Sequence, residues 1–524
     1  MLSPSAHIDT FARDNLPPFA QWPEFRFDLP ELRYPQRLNC ADALLDDVIA
    51  RRGGDRVCLF TDAEQWTYAE LRERSSRIAH VLRDDFGIVP GNRVLLRAPN
   101  NPTLVACWFA VLKAGGVVVT TMPLLRESEL ATVGEIAEIN LSLADDRFTE
   151  ALSAADIAPM LTFGELAERA ASRPGDFEST PTAADDVALL AFTSGTTGRP
   201  KATMHFHRDV MANADTFSRH VLKPRPDDVF GASPPMGFTF GLGMEVIFPL
   251  HAGASTLLLE KGTPDLLLPA LAEHRVTVTA TAPTAYRAMA AQIAAGDLRL
   301  PALRRCVSAG EPLPLPTRKA WREAAGLELI DGIGATEMLH IFIAAADDDI
   351  RPGATGKPVP GYQAAILDAD GAPAPDGELG RLAVKGPTGC RYLNDERQLD
   401  YVQNGWNLTG DMYTRDPDGY YWYHSRSDDM IISAGFNISG AEVEWALLSH
   451  PSVAECAVVG IPDAERTMLV KAYVVRRPGR DVDVDGLIAH CREHIASYKR
   501  PREVEFVDAL PRTSTGKVQR FKLR

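Results

Sequence analysis

The chain has 524 residues, of which 45% are hydrophobic and 24% charged, and its formal net charge is −15. A single hydrophobic core stops growing at about 250–300 residues, so we expect two or more domains. The acidic balance opposes non-specific binding to nucleic acid or to an anionic membrane surface, and we expect neither partner.

The sequence shows neither a secretory signal nor a membrane-spanning segment, which favours a cytoplasmic location. The polar, acid-containing start MLSPSAHIDTFARD lacks the basic-then-apolar order of a secretory signal. The most apolar stretch, 102–123, is interrupted by Lys113 and a glycine pair, so a membrane-spanning helix is not expected. Seven dispersed cysteines show no metal-ligand spacing and are predicted to be buried thiols. We expect a cytoplasmic monomer or homodimer.

The predicted elements begin after a proline-rich lead-in of about forty residues, which disfavours helices and is expected to wrap the body. A strand at Arg93–Ala98, a helix at Pro102–Lys113 and a strand at Gly116–Met122 form a βαβ unit. Further buried strands, each expected to lead through a loop into a helix, are predicted at Asp186–Phe192, Thr256–Leu259, Val276–Thr281 and Arg304–Ser308. This alternation predicts an α/β fold with stacked βαβ-type sheets.

The pattern of apolar runs and turn residues changes twice in the last third of the chain. From about Gly361, repeated Asp-Gly pairs favour tight turns between antiparallel strands and predict a small β subdomain. A last unit has helices predicted at Ser439–Ser449 and Val484–Ala496, and strands at Val453–Val459 and Lys471–Val475. We therefore predict a large N-terminal domain, 1–427, and a small mobile α+β domain, 428–524.

The strongest chemical signal follows the strand Asp186–Phe192. It is the run Thr193, Ser194, Gly195, Thr196, Thr197, Gly198, Arg199, Pro200 and Lys201. Glycines let the backbone approach an anion closely, hydroxyls and consecutive N–H groups donate to phosphate oxygens, and the lysine adds a point charge. The run differs from the Walker pattern, so an ordinary nucleoside triphosphatase is disfavoured, and a flexible linker seldom follows a core strand.

The run TSGTTGRPK resembles the phosphate loop of the adenylate-forming superfamily, which includes acyl-CoA synthetases, luciferases and peptide-synthetase adenylation domains. Two further segments resemble family motifs in the right order: 331–337 (DGIGATE) and 409–411 (TGD). The resemblance implies that Glu337 holds Mg²⁺, that Thr336 contacts phosphate and that Asp411 binds both ribose hydroxyls. It assigns the remaining nucleotide contacts to Gly310, Glu311, Asp331, Gly332 and Gly334.

The C-terminal motifs also match. Arg426 resembles the family arginine directed to the ribose, and Asp428 resembles the hinge, although Ser425 stands where the family usually has glycine. Lys517, in the run PRTSTGK, resembles the catalytic lysine that contacts the substrate carboxylate and the α-phosphate. Ser433, Ala434 and Gly435 resemble the loop on the coenzyme A side.

The resemblance implies a two-step reaction with ATP, Mg²⁺ and coenzyme A as a substrate. The carboxylate first attacks the α-phosphate, giving an acyl-adenylate and pyrophosphate, with charge stabilised by Mg²⁺ and Lys517. The small domain then rotates, and the coenzyme A thiolate attacks the acyl carbon. One site thus serves both reactions.

The segment after Glu337, MLHIF, resembles that of benzoate-CoA and 2-aminobenzoate-CoA ligases and implies an aromatic acid. His340 is expected to orient the carboxylate, while aromatic and apolar side chains hold the ring. The pocket is assigned to Phe238, Thr239, Phe240, Gly241, Ala309, His340 and Ile341. The lead-in and the Thr239-Phe240 pair, which replaces the Ala-Tyr of benzoate enzymes, favour 2-aminobenzoate over benzoate.

Three other functions remain open from the sequence. A stand-alone adenylation enzyme would load a carrier protein instead of free coenzyme A, and a luciferase-like oxygenase would emit light with oxygen. A non-catalytic nucleotide sensor would retain the fold alone, but such proteins usually lose a motif residue, whereas all the motif residues named above are present.

Overall fold

The structure is a computed structural model that describes residues 2–193, 200–296, 298–427, 429–433, 436–463, 466–512 and 518–524. It is a mixed α/β protein with a large N-terminal domain and a smaller C-terminal domain. The predicted α/β class is therefore confirmed. Among the described residues, none of the helices combines the length and apolar character that a membrane crossing requires.

The largest sheet has nine strands, of which six central ones are parallel and the edge strands antiparallel. In spatial order they are Lys357–Pro358, Ile341–Ala344, Ile330–Gly334, Arg305–Ser308, Val278–Thr281, Val229–Ala232, Ser255–Leu257, Val57–Phe60 and Gln65–Thr67. Helices join its parallel strands, as the sequence predicted.

The second sheet has six strands, five of them parallel. Its spatial order is Met160–Thr162, Leu141–Ala144, Arg93–Arg97, Val117–Thr121, Val187–Thr193 and Lys201–Phe206. The prediction that a helix follows the loop after strand Val187–Thr193 is wrong. The chain instead returns as the antiparallel strand Lys201–Phe206, whose last five residues are all buried.

Two antiparallel units complete the fold. The predicted β subdomain is a five-stranded sheet of Gln363–Leu367, Gly380–Lys385, Trp406–Arg415, Val402–Gln403 and Tyr421–Arg426. The C-terminal domain has its own sheet, of Phe436–Ile438, Ile431–Ser433, Thr467–Arg476, Val453–Asp463 and Glu503–Phe506. A separate apolar core, including Val443, Val458 and Leu487, holds that domain together.

The helices pack on the faces of these sheets. Those of eight or more residues are Tyr68–Asp84, Pro102–Lys113, Glu127–Ala137, Phe163–Ala170, Pro264–Glu273, Pro283–Ala295, Leu315–Ala325, Gly440–Leu448 and Val484–His494. Shorter helices are Phe11–Asp14, Asp47–Arg52, Glu150–Ala155, His207–Asn213, Thr239–Leu242, Phe248–Ala252 and Gln398–Tyr401, with π-helical segments at Asp42–Asp46, Ala214–Leu222 and Gly243–Ile247. Single 3₁₀ turns lie at Phe19–Gln21, Pro30–Leu32, Asp146–Phe148, Thr336–Met338, Asp347–Asp349 and Arg520–Lys522.

The helix Pro102–Lys113 shows why the most apolar stretch is a core helix. Asn101 caps it by accepting a hydrogen bond from the Leu104 N–H at 2.8 Å, and every residue except Thr103 is buried. Lys113, only 1% exposed, lies 3.3 Å from Asp42 and also pairs with Asp46. Its charge is thereby compensated inside the domain.

The lead-in lies along the large domain, as expected, and its one α-helix has four residues. The Ser3 N–H donates to Asp185 at 3.0 Å, and Phe25 forms an isolated bridge with Gly386. Lys385 donates to Glu24 at 2.5 Å. All seven cysteines are buried and free, which confirms their interpretation.

Candidate functional site

Two neighbouring parallel strands end at the predicted adenine side of the site. Ser308 and Asp331 are register partners in the nine-stranded sheet, so Ala309, Gly310 and Glu311 leave the sheet beside the segment beginning at Asp331. This is the edge where open α/β sheets bind ligands. The Asp331 carboxyl is half-buried, and desolvation raises its pKa to about 7 against the opposing charge of Arg318.

A tight turn presents the predicted metal and acid residues together. Strand Ile330–Gly334 pairs antiparallel with Ile341–Ala344, with Gly334 opposite Ile341, so residues 335–340 form the connection. A Cβ at Gly334 would lie 2.8 Å from the His340 carbonyl oxygen, which explains the glycine. Leu339 has φ of +68°, a sparsely populated conformation for a side chain of this kind. The turn thus brings Glu337 and His340 to one end of the sheet.

His340 lies in a box of aromatic rings. Its ring centroid is 5.2 Å from Phe217, 5.6 Å from Phe240 and 4.6 Å from Phe248. The side chain is 4% exposed, and neither ring nitrogen has a hydrogen-bond partner within the described residues. Burial lowers the pKa of His340 to about 3, with the Phe240 backbone opposing the shift. A neutral imidazole in an apolar box is a polar group available to a ligand.

Glu337 is held by a residue that the sequence analysis did not identify. The Tyr392 hydroxyl donates to Glu337 Oε1 at 2.5 Å, and Lys201 Nζ lies 3.3 Å from the same hydroxyl. His205 Nε2 contacts the Thr336 carbonyl oxygen at 2.8 Å. These pairs are separated by 55 to 191 residues in sequence, so no local spacing could have indicated them.

Beneath this group lies a fully buried ion pair. Arg391 contacts Asp209, and both side chains are inaccessible to solvent. His205 Nδ1 is 3.8 Å from Asp209 Oδ2. The pair therefore lies beside His205 of the strand Lys201–Phe206.

The ends of the phosphate loop are placed, but its centre is not described. Thr193 and Lys201 are register partners at the ends of two antiparallel strands. The predicted phosphate contacts Ser194, Gly195, Thr196, Thr197 and Gly198 lie outside the described residues. A loop carried on two buried strands has fixed ends, which is what a phosphate-binding loop needs.

The predicted ribose residues form a pair on neighbouring strands. Asp411 and Arg426 are register partners, and Arg426 Nη1 is 3.2 Å from Asp411 Oδ1 and 3.0 Å from the Thr409 carbonyl oxygen. Asp411 is 7% exposed. The arginine thus orients a carboxylate that can accept two hydroxyl donors.

Two tyrosines lie within electrostatic reach of Asp411. Burial raises the pKa of Tyr401, and Glu337 and Asp411 both contribute to the increase. Burial raises the pKa of Tyr413 as well, with Asp411 and Asp331 adding to it.

The predicted acid pocket divides into two parts. Phe240 and Ile341 lie on the His340 side, since Ile341 is next to His340 and 1% exposed. Phe238 and Thr239 line a small cavity of about 20 Å³ together with Trp108, whose indole N–H is buried and has no partner in the described part of the chain. Gly241 and Ala309 are both buried.

The C-terminal motifs are only partly described. Asp428, Ala434, Gly435 and Lys517 lie outside the described residues. Ser433 is 5% exposed and pairs with Phe436 and Thr467. Arg512 Nη1 lies 4.0 Å from Glu311 Oε1, so the C-terminal domain contacts the loop after strand Arg305–Ser308.

Comparisons with known proteins identify two family profiles and several similar relatives. Residues 45–392 match the profile described as AMP-binding enzyme, and residues 442–517 match the AMP-binding enzyme C-terminal domain. Benzoate–CoA ligase of Thauera aromatica is 36% identical over 94% of this chain and 97% of that protein. The 3-hydroxybenzoate–CoA ligase of Aromatoleum sp. (strain CIB) is 32% identical over 93% of this chain and 96% of that protein.

Two solved structures are similar over nearly the whole chain. The crystal structure of an anthranilate CoA ligase in complex with anthranoyl-AMP has a TM-score of 0.89 and 33% identity, covering 94% of this chain and 98% of that one. A benzoate CoA ligase from Burkholderia xenovorans LB400 has a TM-score of 0.85 and 32% identity, covering 93% of this chain and 100% of that one.

Proposed function

The chain belongs to the AMP-binding enzyme family, and on that premise we propose that it is an aryl-CoA ligase. It converts an aromatic carboxylate and ATP into the acyl-adenylate and pyrophosphate, and then transfers the acyl group to the thiol of coenzyme A. One observation carries the proposal: unpartnered His340 lies among three phenylalanine rings in the same turn as Glu337. This arrangement suits a flat apolar acid whose carboxylate must meet the nucleotide.

The acid is bound by His340 and Phe240. Because burial lowers the pKa of His340 to about 3, the ring is neutral near pH 7 and donates one N–H to a carboxylate oxygen. Phe240 supplies apolar surface to the aromatic ring. Binding in this box removes water from the carboxylate and orients it for attack on phosphorus.

The nucleotide is bound by residues of two sheets, from Asp331 in the nine-stranded sheet to Arg426 in the β subdomain. Asp411 accepts both ribose hydroxyls, and Arg426 keeps its carboxylate in place. Lys201 and Lys517 supply positive charge, the first to the phosphates and the second to the carboxylate and α-phosphate. The adenine and phosphate contacts are assigned to Thr193, Ser194, Gly195, Thr196, Thr197, Gly198, Gly310, Glu311, Asp331, Gly332, Gly334 and Thr336.

The donor set at Glu337 fits Mg²⁺. A carboxylate is a hard oxygen ligand, one of its oxygens is engaged by Tyr392, and no contact within the described residues engages the other. Glu337 would hold the ion with Thr336 beside it. Bound there, Mg²⁺ would neutralise charge on the phosphates during formation of the acyl-adenylate.

The second half-reaction is assigned to the C-terminal domain. We place the domain boundary at 427/428, with Asp428 as the hinge about which residues 428–524 turn after the adenylate forms. Ser433, Ala434 and Gly435 then face the coenzyme A thiol. Free coenzyme A is the proposed acceptor, in preference to a carrier protein, because the relatives named above are CoA ligases and the similarity covers nearly their full length.

Among aromatic acids, 2-aminobenzoate is the proposed substrate and benzoate is an equal alternative. The cavity beside Thr239, about 20 Å³, is close to the size needed for one water molecule, so it suits a small ring substituent such as an amino group. The similarity to the anthranilate CoA ligase supports the same choice, and the similarity to benzoate ligases supports the alternative.

The test is pyrophosphate release from MgATP with a panel of benzoate, 2-aminobenzoate, hydroxybenzoates, cinnamates, acetate and medium-chain fatty acids, each with and without coenzyme A. The expected result is coenzyme A-dependent turnover on the benzoates. Preference for a fatty acid or cinnamate would overturn the aryl assignment, and adenylate that coenzyme A fails to discharge would indicate a carrier protein.

Replacement of Thr239 separates the two benzoates. Thr239→Ala is expected to lower kcat/KM for 2-aminobenzoate about tenfold relative to benzoate, because a hydroxyl partner of the amino group is lost. Thr239→Ser, which keeps the hydroxyl, is the matched control. An unchanged ratio in the alanine variant would remove Thr239 from substrate selection.

A further inference from the structure

Tyr392 lies between the two groups assigned to the phosphates and to the metal. Its hydroxyl donates to Glu337 Oε1 at 2.5 Å and lies 3.3 Å from Lys201 Nζ, which also sits 4.7 Å from the centre of the tyrosine ring. A phenol has one proton to donate and can also accept a hydrogen bond. The geometry therefore makes the lysine the donor to the hydroxyl, and the hydroxyl the donor to the carboxylate.

The tyrosine itself cannot move easily. It is 1% exposed, its backbone N–H donates to Gln398 Oε1 at 2.9 Å, and its backbone bridges to Thr203. The ring packs edge-on against Tyr401 at 5.9 Å.

A second contact fixes the backbone before Glu337. His205 contacts the Thr336 carbonyl oxygen at 2.8 Å, and the buried Asp209 and Arg391 lie behind that histidine. With Thr336 held through its carbonyl and Glu337 through one oxygen, the remaining torsional freedom of the carboxylate is small. A metal ligand gains affinity when its orientation is set before the metal binds.

We propose that Tyr392 is a positioning residue that holds the Glu337 carboxylate so that its second oxygen is directed to the magnesium of MgATP. The hydroxyl also connects this carboxylate to Lys201, so the metal ligand and the phosphate-binding lysine are set relative to each other. The proposal rests on the function proposed above, in which Glu337 is the magnesium ligand.

The test compares the wild type with Tyr392→Phe, which removes only the hydroxyl and keeps the ring next to Lys201. The probe is Mn²⁺ titrated in the presence of α,β-methylene-ATP, with free Mn²⁺ followed by electron paramagnetic resonance. Loss of a group that orients a metal ligand is expected to weaken Mn²⁺ binding about tenfold or more. In turnover, the KM for Mg²⁺ should rise while the KM for the aromatic acid stays within about twofold, by the same reasoning.

Tyr401→Phe is the matched control. It removes a buried hydroxyl from the ring that packs on Tyr392, and this hydroxyl has no hydrogen-bond partner in the described part of the chain. We expect Mn²⁺ binding unchanged in this variant. A double-mutant cycle with Glu337→Gln distinguishes a specific effect on Glu337 from a general loss of packing around Tyr392. Once the carboxylate is absent, Tyr392→Phe should have no further effect on Mn²⁺ binding.

The inference is overturned if Tyr392→Phe binds Mn²⁺ within twofold of the wild type, or if its effect persists in the Glu337→Gln background. A wild-type protein that binds no Mn²⁺ with the nucleotide analogue overturns the metal site, and this inference with it. A wild type that binds Mn²⁺ normally but activates no acid overturns only the proposed function and leaves the role of Tyr392 supported by the binding data.

Discussion

Gly243 controls the position of the His340 ring, and its replacement tests the acid site without altering any group assigned to bind substrate. A Cβ at Gly243 would lie 2.4 Å from His340 Cδ2 and 2.6 Å from Nε2, whereas ordinary contact begins at 3.4 Å. The ring would have to retreat by roughly 1 Å, but Phe217 and Phe248 occupy the space around it. Gly243→Ala should therefore displace the imidazole or strain the box.

The expected size of the effect follows from this displacement. A 1 Å misplacement of a substrate-orienting group can cost about 100-fold in rate, so kcat/KM for the aromatic acid should fall by about that factor. Overpacking should lower the free energy of unfolding by about 1–3 kcal/mol. The KM for ATP should stay within about twofold of the wild-type value, because the substitution contacts none of the residues assigned to the nucleotide.

The assay is acid-dependent pyrophosphate release under variation of acid and of ATP, with urea unfolding measured on the same samples. Gly296→Ala is the control, since a Cβ there meets only the Gln292 carbonyl oxygen at 3.5 Å, an ordinary contact. The reasoning is refuted if Gly243→Ala retains the acid kinetics of the wild type, or if the KM values for acid and ATP rise together.

Two further predictions concern buried charges. Arg391→Met leaves the Asp209 carboxylate buried without its cation. The free energy of unfolding, measured by urea denaturation, should fall by about 3–5 kcal/mol. A loss below about 1 kcal/mol would contradict this prediction. Burial also lowers the pKa of both His207 and His340 to about 3, so the unfolded chain binds more protons than the folded one below pH 6.5. The free energy of unfolding should keep its full value above pH 6.5 and decline as the pH falls toward 3. With falling pH, the urea midpoint of His207→Gln should decline less steeply than that of the wild type. An equal decline in the two proteins would exclude His207 as a cause.

Much of the fold was predictable because it depends on local patterns. The helix Pro102–Lys113 has the predicted bounds, and the strand Arg93–Arg97 differs by one residue. Continuous apolar runs, a capping asparagine and the proline at the first helical position are all local in sequence. The strand Lys201–Phe206 was missed because its pairing with Val187–Thr193 is a tertiary choice that alternation alone does not specify.

The candidate site divides in the same way. Asp331, Glu337, Asp411 and Arg426 were predicted from short motifs, and the structure brings Asp411 into contact with Arg426. Their roles remain predictions, as does that of Lys517. Trp108 and Phe248 had no motif, since they act only as walls of the cavity and of the histidine box.

The sequence by itself determined the chemistry: a glycine-, serine- and threonine-rich loop after a core strand, and acids and lysines in a set order. Each motif is a run of a few neighbouring residues, where backbone geometry leaves little choice. Only the tertiary structure decided that three phenylalanines enclose His340, where burial lowers its pKa, and that Tyr392 joins Lys201 to Glu337. Both depend on desolvation and on contacts between distant segments, which exist only once the sheets have packed.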